Sequence, residues 1–306
     1  MNRDQILILI LQAGTVLCLL GWTWTHFYWE GPYAVLVWNE TTHSLAEKLG
    51  LGWEEFVGTG ANDGLVQRWL HVLAWLYLGV TVCALTVRRK STYQLVPLLL
   101  AVVLLGVLFY AKYLGSQRQL PMLIEHGSQF FMPLLFVLAL KIGPRHSVVF
   151  NLAIIAVTLT FVGHGAYALG LWPTPGNFYA MTKMIMRWDE AIITVFLRVA
   201  GVLDFLLCLG LLIPRLRMAS ALYAFSWGLA TAVARPMAGM SSELSFWGAD
   251  QFVHEAFLRA PHFLIPLYLV VYWYEPRKKS TRLLDSEPES VAESRNETSQ
   301  KPIISS

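Results

Sequence analysis

Apolar runs long enough to cross a bilayer recur along almost the whole chain, and no other feature constrains its fold as much. A spanning helix needs about 20 mostly apolar residues. Eight segments qualify: 6–25, 67–87, 93–114, 121–141, 148–171, 190–213, 217–239 and 252–274. Backbone amides in hydrocarbon must be satisfied within their own segment, so runs of this kind fold as helices. The expected fold class is therefore all-α, a polytopic membrane protein with eight transmembrane helices. Composition points the same way, with 56% of the 306 residues hydrophobic and 14% charged, against ~25% charged in an average soluble domain. The 23 Lys and Arg against 20 Asp and Glu leave a formal charge of +3, too weak and too scattered for a nucleic-acid binder.

The first run carries no charge and is long for a signal-peptide core, no A-x-A-like site follows it, and Leu17 before Cys18 spoils a lipoprotein cleavage site. It reads as a retained helix. Basic residues then set the orientation. Arg3, Arg88-Arg89-Lys90, Lys141, Arg145, Arg215, Arg217, Arg277-Lys278-Lys279 and Arg282 fall on one set of ends, and Lys48, Arg68, Arg118, Lys183 and Arg187 on the other, twelve against five. Both termini are expected in the cytoplasm of a multi-pass cell-membrane protein, most simply in a bacterial inner membrane. The acidic loop 26–66 is then outside. Past Glu275 the chain turns polar and rich in Pro, Ser and Glu, and 276–306 reads as a disordered cytoplasmic tail. Trp22, Trp24, Trp29, Trp53, Trp69, Trp172, Trp188, Trp247 and Trp273 gather near helix ends, the belt expected of amphipathic rings at the lipid interface.

Helices 1–4 overlay helices 5–8 in a recognisable register. Met132-Pro133-Leu134-Leu135 matches Ile265-Pro266-Leu267-Tyr268, Leu20-Gly21-Trp22 matches Val162-Gly163-His164, and Ala111-Lys112 matches Ala234-Arg235. His71 falls opposite Arg198, and Tyr77 opposite Asp204. The expectation is two tandem four-helix units, 1–145 and 146–275, each with an even number of spans and hence the same orientation.

Ionisable groups inside spanning helices are costly unless paired or wetted, so each is a candidate functional residue. With the orientation above, nearly all lie in the outer half: His71, Lys112, Glu125, His126, His164, Arg198, Arg235, Glu255, Arg259 and His262. Asp204, midway along the sixth helix, is expected near the bilayer centre. Glu255, Arg259 and His262 are spaced i, i+4, i+7 and share one helix face above Pro266. A polar pocket open to the outer face follows, rich in guanidinium groups that suit an anionic or carbonyl-bearing ligand.

Other chemistries find little support. Cys18, Cys83 and Cys208 form no C-x-x-C pair, no metal-binding motif occurs, and the G-x-S-x-G and Walker patterns are missing. His71, His126, His164 and His262 are not symmetry mates under the repeat, which argues against a b-type haem.

The second unit carries the strings Phe161-Val162-Gly163-His164-Gly165, Arg198-x-x-Gly201-x-x-Asp204, Gly210-Leu211-Leu212-Ile213-Pro214, Thr231-Ala232-x-x-Arg235-Pro236 and Arg259-x-x-His262-x-x-x-Pro266. Over about 148–274 it resembles the DoxX-like membrane proteins, with the first unit a diverged copy. The resemblance implies a four-helix unit and, for some relatives, a place in sulfur- or quinone-linked redox complexes. On that basis the expected function is a membrane subunit binding a quinone or a small anionic redox substrate, with a redox partner subunit supplying the electron carrier. Arg198, Arg235, Arg259 and His262 are the expected ligand contacts, and Asp204 and His164 the proton-handling pair, since histidine titrates near neutrality. His71, Lys112, Glu125 and His126 are secondary candidates in the first half. A solute transporter or channel using the same pocket is one alternative, and an assembly scaffold without catalytic activity is another.

Overall fold

Asn2 opens the first helix with a capping box: its side chain accepts from the Gln5 N–H, and the Gln5 side chain accepts from the Asn2 N–H. This is a computed structural model, and it describes residues 1–29, 31–59, 62–87 and 93–274. The expected tail at 276–306 and the basic cluster Arg88-Arg89-Lys90 lie outside the described residues. The chain is all-α apart from one two-residue hairpin. The order is α1 (Arg3–Tyr28), α2 (Ala34–Val37), α3 (Glu40–Lys48), α4 (Trp53–Val57), β1 (Gly58–Thr59) paired with β2 (Asn62–Asp63), α5 (Leu65–Thr86) and α6 (Leu95–Gly115). There follow α7 (Leu120–Ile124), α8 (Gly127–Ile142), α9 (Ser147–Leu169), α10 (Gly176–Met186), α11 (Glu190–Leu212), α12 (Arg217–Gly239), α13 (Ala249–Leu258) and α14 (Pro261–Trp273).

Six of these stretches are long and apolar enough to cross a membrane: α1, α5, α6, α7 with α8, α9 and α11. The bent pair of α13, with the short 3₁₀ turn before it, and α14 makes a seventh, broken by 42°. Helix α12 has 23 residues, as many as α9 and α11, but Arg217, Ser220, Ser226, Thr231 and Arg235 leave it less apolar. The eighth span expected at 217–239 is thus a helix of the same length that is not among the six or seven apolar enough to cross; its Ser226, Thr231 and Arg235 line the site described below. The expected loop 26–66 holds three short helices and the hairpin.

Several helix ends fall where the local sequence dictates. Pro121 opens α7 and Pro261 opens α14, in first turns where a missing N–H costs nothing, and Gly143 and Gly170 end α8 and α9 with positive φ. Helix α1 packs on α5, α8, α13 and α14, while α9 packs on α7, α8, α11 and α14. Helices α5, α6 and α8 complete one group around α1, and α11, α12 and α14 complete another around α9. Where the groups meet, a Cβ at Gly21 of α1 would overlap the Leu258 backbone at the α13–α14 break. A Cβ at Gly163 of α9 would likewise overlap the Glu125 backbone at the α7–α8 break. Lipid gives apolar helices no hydrophobic reason to associate, so this close backbone approach, with its dense van der Waals contact, is what holds them.

One end of the bundle is tied by polar contacts. Arg3 donates to the Val271 and Tyr272 carbonyls at the C-terminus of α14, a favourable place for a cation. Asp4 meets Arg145 at 2.6 Å, and the Tyr268 hydroxyl donates to the Pro144 carbonyl at 2.6 Å. The start of α1, the α8–α9 connection and the end of α14 therefore share this end. Trp22 departs from the interfacial belt: it is 5% exposed, donates to Gln129 Oε1 at 3.0 Å and packs edge-on against Phe109.

Candidate ligand site

Helices α9 to α14 enclose a cavity of about 700 Å³, mostly apolar, within the ~300–1,000 Å³ usual for small-molecule sites. Phe161, His164 and Ala168 of α9 line one wall, and Leu197, Ala200 and Asp204 of α11 another, at successive turns of one helix face. Arg235 and Thr231 come from α12, Arg259 from the α13–α14 break and His262 from the first turn of α14. Helix α10 closes over the cavity with Phe178, Met181, Thr182 and Ile185.

The charged groups concentrate at one end. Glu255 Oε2 lies 2.5 Å from Arg259 Nη1 and 3.5 Å from Arg235 Nη1, so one carboxylate bridges both guanidiniums. Across the contact between the two helix groups, Glu125 Oε2 lies 3.3 Å from His164 Nδ1 and its other oxygen 3.8 Å from His126 Nδ1. His126 Nε2 faces Lys112 Nζ at 2.8 Å, and that ammonium stands 5.5 Å from the centre of the Trp22 ring. The His164 and His262 rings are 5.4 Å apart, centre to centre. Eight ionisable side chains, five from helices and three from the two helix breaks, thus gather at this end. Among the described residues, His262 Nδ1 and Asp204 Oδ1 are buried without a hydrogen-bond partner, although both side chains line the cavity. Orphaned buried polar atoms are rare in folded proteins and cost free energy unless something pairs with them.

Five of the six principal site residues expected from sequence therefore meet in one place: His164, Asp204, Arg235, Arg259 and His262. Arg198 does not. It is exposed, because Leu197 and Ala200 take the inward face of α11 and position 198 is rotated about 100° from Leu197. His71 corrects in the same way: it is exposed and its ring bonds only the Gln67 carbonyl of its own helix. A Cβ at Gly165 would lie 3.1 Å from the Asp204 Cβ, which sets Asp204 of α11 level with the residue after His164 of α9. Lys112, Glu125 and His126 form no separate first-half site but join the common cluster. The Glu255, Arg259 and His262 face is interrupted, since α13 stops at Leu258 and α14 begins at Pro261.

Sequence reasoning placed no helix between the segments 148–171 and 190–213, where the structure has α10. Its signal was the spacing of Phe178, Met181 and Ile185 at i, i+3, i+7, an apolar stripe in a segment too short to span a bilayer. It also missed Trp227, whose indole approaches Asp204 and whose ring meets Phe196 of α11 edge-on at 6.2 Å. No single helix pattern marks such a cross-helix role.

Among the described residues no group of three or more His, Cys, Asp or Glu is placed to hold a metal ion. The arrangement defines a helical bundle fit for a membrane, with an apolar cavity tipped by arginine, histidine and carboxylate. Compared with protein families, curated proteins and solved structures, the chain matches none of the three.

Proposed function

We propose that the chain is an eight-helix membrane protein, two tandem DoxX-like four-helix units, whose second unit binds a quinone or a small redox-active compound in the α9–α14 cavity. The observation that carries this reading is an apolar cavity lined by two arginines and by His262 and Asp204, each of which has a buried atom without a partner among the described residues. A quinone has carbonyl oxygens for His262 and Arg259 and a carbon body for the Phe161, Met181 and Phe225 walls. His164 and Asp204 are placed to exchange protons with a reduced ring, and a partner subunit in the membrane supplies the electron carrier.

The tandem reading draws support from paired contacts: Gly21 against Leu258 and Gly163 against Glu125 fall at matched positions, as do the two breaks ahead of Pro133 and Pro266. Under that reading α12 is the seventh span, both termini lie in the cytoplasm, and the Arg3, Arg145 and Tyr272 end faces inward. Binding is favoured over conduction because α11 and α12 pack tightly at their other end, where a Cβ at Gly210 would strike the Ser220 side chain.

The test is quinone-dependent redox cycling and equilibrium binding of decylubiquinone in proteoliposomes. The reading expects binding by the wild-type chain that is lost in Arg259→Gln while the protein stays folded. Solute flux without quinone binding would overturn it, as would folding defects with no selective loss of binding.

A further inference from the structure

The cavity is not sealed on the side between α11 and α12. Leu229, Val233 and Met237 of α12 line it, yet are 37%, 38% and 62% exposed, and Ser226 and Ala230 are exposed on the same face. Residues 226, 230, 233 and 237 follow i, i+4, i+7, i+11 spacing, so one continuous stripe of α12 both faces the cavity and looks outward. The two helices touch closely at Gly210 and Ser220, and α10 packs on both. The result is a window bounded by α10, α11 and α12, with Phe196 and Trp227 edge-to-face across it. A stripe of Leu, Val, Ala and Met faces hydrocarbon if α11 and α12 span a bilayer, so the window opens to lipid rather than to water.

The polar end has a charge balance that restricts the head group. Arg198 lies elsewhere, which leaves two guanidiniums, and both already share Glu255 Oε2. An anionic head would have to compete with that carboxylate in a mostly buried site, where separating such pairs is costly. A neutral acceptor faces no such competition: guanidinium N–H groups not used by Glu255 can donate to it, and so can His262 Nδ1 in the tautomer that carries its proton there.

We infer that the site takes a neutral amphiphile with a hydrogen-bond-accepting head and a single apolar chain. The head lies against Arg259 and His262, and the chain leaves through the α10–α11–α12 window into the bilayer. This deepens the proposed function and rests on it: it replaces the broader class of small anionic or carbonyl compounds by a chain-bearing neutral one and names the route.

Three probes separate the possibilities, each measured on the full chain in lipid nanodiscs with affinity expressed per mole fraction of probe in the bilayer. They are decylubiquinone, the same benzoquinone ring without the chain, and oleate. The chain-bearing quinone is expected to bind at least ~10-fold more tightly than the bare ring, and at least ~10-fold more tightly than oleate. Val233→Trp and Ala230→Trp place bulk in the window, and in both the advantage of decylubiquinone over the bare ring should collapse toward 1. Equal binding of the ring and the chain-bearing quinone by the wild-type protein overturns the chain and its route. Oleate as the tightest ligand overturns the neutral head. Because the chain-length comparison uses the wild-type protein, a Trp variant that fails to fold does not remove the test. If none of the three probes responds to Arg259→Gln, the underlying ligand-site reading fails, which is a different result from either of these.

Discussion

The two groups of helices solve the same packing problem with opposite outcomes. Under the proposed tandem reading, Trp22, Gln129, Tyr77 and Lys112 of the first stand opposite His164, His262, Asp204 and Arg235 of the second. In the first, Trp22 donates to Gln129, and Tyr77 is fully buried with its ring stacked 4.4 Å from His26 and, among the described residues, its hydroxyl unpaired. In the second, smaller side chains leave about 700 Å³ open and two polar atoms unpaired. Large rings at two of these positions, Trp22 and Tyr77, occupy core space; the smaller His164 and Asp204 in their place, with the backbone contacts kept, leave room for a cavity. The comparison suggests a division of labour, with the first group as a buttress that lends Glu125, His126 and Lys112 to the site of the second.

The comparison can be broken in several ways. Removing both head-group partners, Arg259→Gln with His262→Leu, should weaken decylubiquinone binding about 100-fold, from the loss of a charge-assisted and a neutral hydrogen bond. Converting the second group toward the first with His164→Trp should cost about 10-fold in binding by filling the cavity, and should also lower the melting temperature, because Glu125 loses the imidazole 3.3 Å away. Glu255→Gln leaves two neighbouring guanidiniums without their carboxylate and should destabilise the protein by about 3 kcal/mol, read as a lower melting temperature in detergent. Gly21→Ala and Gly163→Ala each push a methyl group into backbone and should cost similar amounts, about 1–3 kcal/mol. A large cost at one and none at the other would show that the two contacts are not equivalent. The smallest effects belong to Arg198→Gln and His71→Gln, which should leave binding unchanged and stability within about 0.5 kcal/mol, since both side chains point outward.

Much of this architecture was legible in the residues. Hydropathy located α1, α5, α6, α8, α9, α11, α12 and α14 because a spanning helix must be apolar over a fixed length. The cost of burying charge pointed to Arg235, Arg259 and His262. Helical spacing failed at Arg198 because a residue type was weighed ahead of its face: six positions from Asp204 leaves it about 120° round the helix. The link from Glu125 to His164 was illegible, since it joins helices 40 residues apart through backbone contact at Gly163, and no periodicity encodes such a partner.

The most direct measurement is photolabelling with decylubiquinone that carries an azide on its chain, followed by mapping of the labelled peptides. The account predicts adducts on α11 and α12, suppressed by excess unlabelled decylubiquinone and diminished in Val233→Trp. Adducts on α1 to α8, or labelling spread evenly over the helices and insensitive to competition, would contradict it.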